Sequence, residues 1–186
     1  MKSLSVLSLC ALALLVNSDA RSEDHKSEHH HWQETATETL WRVRYSNCDY
    51  GFYVSLDDDI VGHGTHSPAP NHGIYVPLPD TSRTSPANYP LDRFVWVDAH
   101  YNASDYRSLR RVVKYELDEE SEGKTGYSIV NLKPTTLGGL PAIGFTVKWN
   151  GPAGAIVESG TIALRSDIVY TVAVRSSDAN ITADRE

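Results

Sequence analysis

An α+β fold follows from three features of the chain. Apolar and polar residues alternate in short runs along most of its length, one segment carries helical spacing, and the last third holds strand-like runs joined by turns. The expected architecture is an antiparallel β-sheet ending in a meander, with one main helix at about 104–118, or two at most, packed on a face.

Trp41, Val43 and Tyr45 alternate with Arg42 and Arg44, the period of a half-buried strand. Phe52, Val54 and Leu56 repeat that pattern after a break at Cys48-Asp49-Tyr50-Gly51. Residues 57–73 are turn-rich, and Ile74–Leu78 is a short strand that Pro77 and Pro79 place at an edge or a boundary. Three prolines with Ser, Thr and Asn make 79–92 a loop, whereas Phe94–Tyr101 (FVWVDAHY) is apolar enough for a central strand. Leu109, Val112, Val113 and Leu117 then recur at helical spacing, with Ser104 or Asp105 as the expected cap. Charge and glycine close that helix over 118–126. Ile129–Leu132, the alternating Phe145, Val147 and Trp149, Ile156–Leu164 and Ile168–Val174 are the remaining strands. Turns at Leu137–Pro141, Asn150-Gly151-Pro152 and Ser166-Asp167 separate them.

The amino terminus has the form of a secretory signal peptide: Lys2, an apolar run over Leu4–Val16, and the small-x-small triplet Ser18-Asp19-Ala20. That run is too short to cross a bilayer, which takes about 20 residues. Cleavage near Ala20 is expected, giving a secreted or periplasmic protein with no membrane span. Leu7-Ser8-Leu9-Cys10 approaches a lipobox, but Leu9 is too large for the position before the cysteine. Residues 21–38, polar and histidine-rich, read as a disordered arm, 39–178 as a single domain and 179–186 as a frayed tail. A net charge of −7 excludes nucleic acid and anionic lipid as partners, since both require a basic face. Cys48 alone survives cleavage, so no internal disulfide forms, and the expected role is a small buried hydrophobe. Asn102-Ala103-Ser104 and Asn180-Ile181-Thr182 are glycosylation sequons if the source is eukaryotic.

The C-terminal pattern LGGLPAIGFTVKW…IVESGTIALRSDIVYTVAVRS resembles exported domains of the PsbP-like type, in which a "glypa"-like turn leads into a strand and a late strand contains a VYT-like step. The resemblance covers roughly the last 50 residues. It implies a non-enzymatic exported accessory or binding domain and assigns no functional residue.

Gly62-His63-Gly64-Thr65-His66 resembles the segment that carries the catalytic histidine of subtilisin-like proteases. The likeness is accidental. A protease also needs an orienting aspartate and a serine nucleophile in reach. Here Asp57-Asp58-Asp59 runs into Ile60 and Val61 in place of small turn residues, and Ile162 stands where the nucleophile belongs in Ser159-Gly160-Thr161-Ile162-Ala163. A two-histidine phosphoesterase would need a second H-x-T motif to oppose His63-Gly64-Thr65, and His100 is followed by Tyr101-Asn102.

Metal binding is the stronger chemical reading of this loop. His63, His66 and His72 fall within ten residues, and three imidazoles that converge suit zinc or copper, with Asp59 or His100 as fourth ligand. The opposing reading is a turn, with Asn71-His72-Gly73 at its corner. In the arm, His25, His29, His30 and His31 offer a second metal locus; cleavage after Ser22 would put His25 third, the square-planar arrangement that takes Cu(II) or Ni(II). Tyr50, Phe52, Tyr53, Tyr75, Trp96 and Tyr101 could line a groove for a sugar or a peptide, with Tyr53, Tyr75 and Tyr101 as the candidate set, although aromatics on strands more often belong to the core. Asp118, Glu119, Glu120 and Glu122 lack calcium-loop spacing, and no glycine-rich loop leads from a strand into a helix.

Three functions follow. The first is a non-catalytic binding or accessory domain for a protein or small ligand; the second, a transition-metal protein using the histidine loop; the third, a hydrolase, for which no complete nucleophile–base–orienter set can be read.

Overall fold

In the computed structural model, residues 40–57, 60–64, 72–78, 93–152 and 154–177 are described. The expected signal peptide, arm and tail lie outside them.

The strands are β1 (Leu40–Trp41), β2 (Arg44–Asn47), β3 (Phe52–Ser55), β4 (Gly62–Gly64), β5 (Gly73–Pro77), β6 (Phe94–Tyr101), β7 (Ser128–Leu137), β8 (Leu140–Gly151), β9 (Gly154–Arg165) and β10 (Ile168–Ser177). The single helix among the described residues, α1 (Leu109–Glu120), falls between β6 and β7. Eight strands form one sheet in the order β1-β4-β5-β6-β10-β9-β8-β7, and β2 pairs with β3 in a separate hairpin. Every pairing is antiparallel. The expected meander is there, from β7 through β10, and β6 is central. Pro77 ends its strand, where its missing N–H costs no ladder bond.

The expected α+β class gives way to a mainly β fold: strands take up 61% of the described residues. Two causes are visible. The meander strands are longer than their apolar runs, because Gly138 and Gly139, at φ 55° and 81°, make a two-residue turn between Leu137 and Leu140 and let both strands run to the tip. The helix is also shorter than expected at its start. Ser104 is not a cap; its N–H and its hydroxyl both donate to Asn102 Oδ1, at 3.1 and 2.6 Å, while Asn102 Nδ2 donates to Tyr106 O at 2.8 Å. That local turn holds residues 102–106 out of the helix. Ser108 precedes the helix without a capping side-chain bond.

Each face of the sheet is covered by a different element. On one, β2, β3 and their turn lay Tyr45, Tyr50, Phe52 and Val54 over Ile74, Val97, Ala99, Ala163 and Tyr170. On the other, α1 lays Val112, Val113 and Leu117 over Phe145, Val147, Trp149, Ile162, Val169 and Ala173. Packing holds this helix. Its first turn carries Arg110 and Arg111 and its last Asp118–Glu120, the reverse of what the helix dipole favours, whereas each fully buried Val or Leu contributes about 1.5–3 kcal/mol. Cys48, expected inside, is exposed, because it stands in the β2–β3 turn and not on a strand. At the outer margin, β7 exposes Ile129, Val130 and Leu132, breaks register between Ile129 and Asn131, and contains Lys133 and Pro134.

Candidate binding site at one end of the sheet

A polar and aromatic cluster forms where the β2–β3 turn, the start of β5 and the end of β6 meet. Asp98 and His100 are two apart on β6, so strand alternation puts both side chains on the helix-covered face. There His100 Nδ1 lies 2.9 Å from Asp98 Oδ2 and Nε2 lies 3.2 Å from Glu116 Oε2 on α1. Burial alone would lower the pKa of this imidazole, but the bonds to Asp98 and Glu116 outweigh it and raise the value to about 9. His100 is therefore an imidazolium at neutral pH, with a carboxylate on each nitrogen. In that state the ring has no lone pair for a metal and no free nitrogen to act as a base.

His72 is brought alongside by backbone register. Its carbonyl accepts from Ala99 N–H at 2.9 Å, one step beyond the Gly73–Asp98 pair. Only glycine serves at 73, since a Cβ there would stand 1.8 Å from Val97 O. The His72 ring lies nearly parallel to that of His100 (6.4 Å between centroids, 14° between planes), and its Nε2 is 2.9 Å from Tyr50 Oη. Tyr50 is fixed in turn by Tyr170 Oη, which donates to Tyr50 O at 2.8 Å. Burial and then the neighbouring Tyr101, Asp98 and Asp49 keep the Tyr50 hydroxyl protonated by raising its pKa. Tyr101 packs its ring 5.5 Å from that of Tyr50 and is 64% exposed, so it presents an aromatic face to solvent.

Of the expected metal set, His66 and Asp59 lie outside the described residues, as do His25, His29, His30 and His31. His63, on β4, stacks on Tyr75 at 5.1 Å, while His72 engages Tyr50 and His100, so the two imidazoles have different partners. Among the described residues, no three His, Cys, Asp or Glu side chains are grouped to hold a metal ion. The three tyrosines expected at a groove are not brought together. Tyr53 lies under the Arg44 guanidinium at 4.1 Å, Tyr75 is buried against His63 and Phe94, and Tyr101 joins Tyr50. Tyr50, one of the aromatics expected near a groove, completes the cluster with Asp98 and Glu116, and these two carboxylates were not singled out from the sequence. Glu116 had a signal: it sits on the same helix stripe as Val112, Val113 and Leu117, where a carboxylate needs a partner.

No family model matches this chain, and no curated protein sequence does. Solved structures do. The solution structure of cyanobacterial PsbP (CyanoP) from Synechocystis sp. PCC 6803 is similar over 84% of this chain and 91% of that one, with a TM-score of 0.52 and 11% identity. The likeness is one of fold. It extends the resemblance of the last 50 residues to most of the chain without transferring any residue's role. A crystal structure of PA94 from Pseudomonas aeruginosa, a protein of unknown function, covers 80% of this chain and 88% of its own, with a TM-score of 0.49 and 11% identity. Among the described residues no helix is long and apolar enough to cross a membrane.

Proposed function

We propose that the chain is an exported, non-catalytic binding domain that meets its ligand or partner at the sheet end formed by Tyr50, His72, His100 and Tyr101. The supporting observation is the occupied state of its histidines. Both nitrogens of His100 are held by carboxylates, and His72 Nε2 is held by a tyrosine hydroxyl. A general base needs a free nitrogen facing a nucleophile. A His100 ring held at both nitrogens and a His72 ring held at Nε2 instead make a rigid surface, and the exposed Tyr101 gives that surface a flat aromatic contact for a sugar ring or a peptide side chain. The PsbP-like fold supports an accessory role by analogy only.

Titration of the 15N-labelled protein with a panel of mono- and disaccharides and short peptides tests this reading. Perturbed amides should gather at 49–51, 72–73 and 98–102. Perturbations confined to α1 or β7 would overturn it, and so would hydrolysis of ester or phosphodiester substrates that is lost in His100→Ala.

A second reading keeps the histidine loop as a zinc or copper site, supported by the adjacency of two of its candidate ligands, His72 and His100. A metal there would have to displace a proton held between Asp98 and Glu116, so uptake should release protons and strengthen as pH rises. Calorimetric titration with zinc and copper separates the two: saturable heat at micromolar metal, lost in His72→Ala, supports the metal site, and its absence supports binding by shape.

A further inference from the structure

The far end of α1 is moored by a second charged cluster. Glu158 of β9 is fully buried on the helix-covered face, in a row across the sheet with Phe94, Arg175 and Val147. One of its oxygens, Oε2, accepts from Arg175 Nε at 2.6 Å; the other, Oε1, is buried with no partner. The same guanidinium reaches from β10 toward α1, with Nη2 3.4 Å from Glu120 Oε1, and that oxygen also accepts from Lys124 Nζ. Lys124 Nζ and Arg175 Cζ stand 4.3 and 5.0 Å from the centroid of Trp149. The buried Tyr127 hydroxyl, also without a partner, completes the surroundings. The groups facing Glu158 are thus Arg175 from β10, Glu120 from α1, and Lys124 and Tyr127 from the connection to β7; β8 and β6 bring only apolar or aromatic side chains, Val147, Trp149 and Phe94.

One guanidinium therefore serves two carboxylates in very different settings. Glu158 is sealed from water, whereas Glu120 is partly exposed. Protonation costs the sealed carboxylate less than ionisation does, because desolvation penalises its charged form.

We propose that Arg175 is a pH-set latch on α1: ionised Glu158 holds it down on the sheet, and when Glu158 takes up a proton Arg175 transfers its charge to Glu120 and draws the last turn of the helix tighter. Burial raises the Glu158 carboxyl to about 7, against the opposing pull of Arg175, which places the exchange near neutrality. No covalent step is involved; a single proton enters the Glu158 carboxylate from solvent.

The test uses the intact protein and does not depend on the ligand reading above. The side-chain carboxyl carbon of Glu158, followed by NMR, should titrate near neutral pH. Amide exchange of residues 117–121, corrected for its intrinsic pH dependence, should slow about tenfold from pH 8 to 5.5, the scale of one charge-assisted hydrogen bond. Glu158→Gln should fix the tight state and make protection independent of pH. Glu120→Gln removes the acceptor without touching the buried site; it should abolish the tightening and lower the Glu158 midpoint by removing a like charge. A Glu158 midpoint in the ordinary glutamate range, pH-independent protection in the wild type, or undiminished tightening in Glu120→Gln would each overturn the proposal, even if Glu158→Gln failed to fold.

Discussion

Replacing His100 by Gln should remove a pH response that the stability of the wild-type domain shows. Burial works against the charged ring, yet the bonds to Asp98 and Glu116 hold its proton to about 9, from an ordinary 6.5. At 1.36 kcal/mol per pH unit, that difference corresponds to about 3 kcal/mol of folding free energy. The imidazole is only 25% exposed, so solvent screens little of it. Because the folded pKa lies above the unfolded one, the contribution is complete below about 6.5 and disappears as pH rises through about 9. Denaturant unfolding followed by circular dichroism at half-unit steps from pH 5.5 to 10 measures it. The gap between wild type and His100→Gln should be widest at the acid end, at about 3 kcal/mol, and should narrow steadily above pH 6.5. In a domain of this size that equals a melting difference of roughly 6–12 °C. Two curves that run parallel over the whole range would refute the clamp.

Leu117→Ala, which opens a hole under the helix, should cost 2–5 kcal/mol by the same assay, at every pH. Tyr50→Phe removes the hydroxyl that meets His72 and should cost about 1 kcal/mol; on 15N-labelled protein the His72 ring resonances should move while those of His63 stay put. Gly73→Ala should fail to give soluble folded protein, since the new methyl collides with the backbone of β6 and not with a side chain that could swing away; normal melting would contradict the close approach.

How far the sequence reaches can be judged from particular residues. Leu109, Val112, Val113 and Leu117 identify the helix because a 3.6-residue period is a local property, and the turn at Gly138-Gly139 announces itself by composition. The helix start was missed since Ser104 answers to Asn102 and not to the helix, a competition that spacing does not reveal. The balance of α and β was missed because the second face is covered by a hairpin, β2 and β3, that reads like any other pair of strands. In the site, the histidine loop drew attention through residue type, while what organises the cluster is long-range: Glu116 from the helix and Tyr50 from a distant turn. A charged residue on an otherwise apolar stripe, as at Glu116 and Glu158, is the signal that would have found both clusters.

The outer margin at β7 bears on how the protein behaves in crowded solution. An open border of ten residues would ordinarily invite a neighbour's strand and let sheets extend from molecule to molecule. Pro134 cannot offer a donor to such a recruit, Lys133 brings a charge to the seam, and the extra residue between Ile129 and Asn131 kinks the line along which it would lie. At the opposite margin β1 is only two residues long and gives little purchase. Ribbon growth is thus blocked at both borders, and a chain with Pro134→Val and Val130 deleted would lose that protection on one side and set into fibres at concentrations the natural protein tolerates.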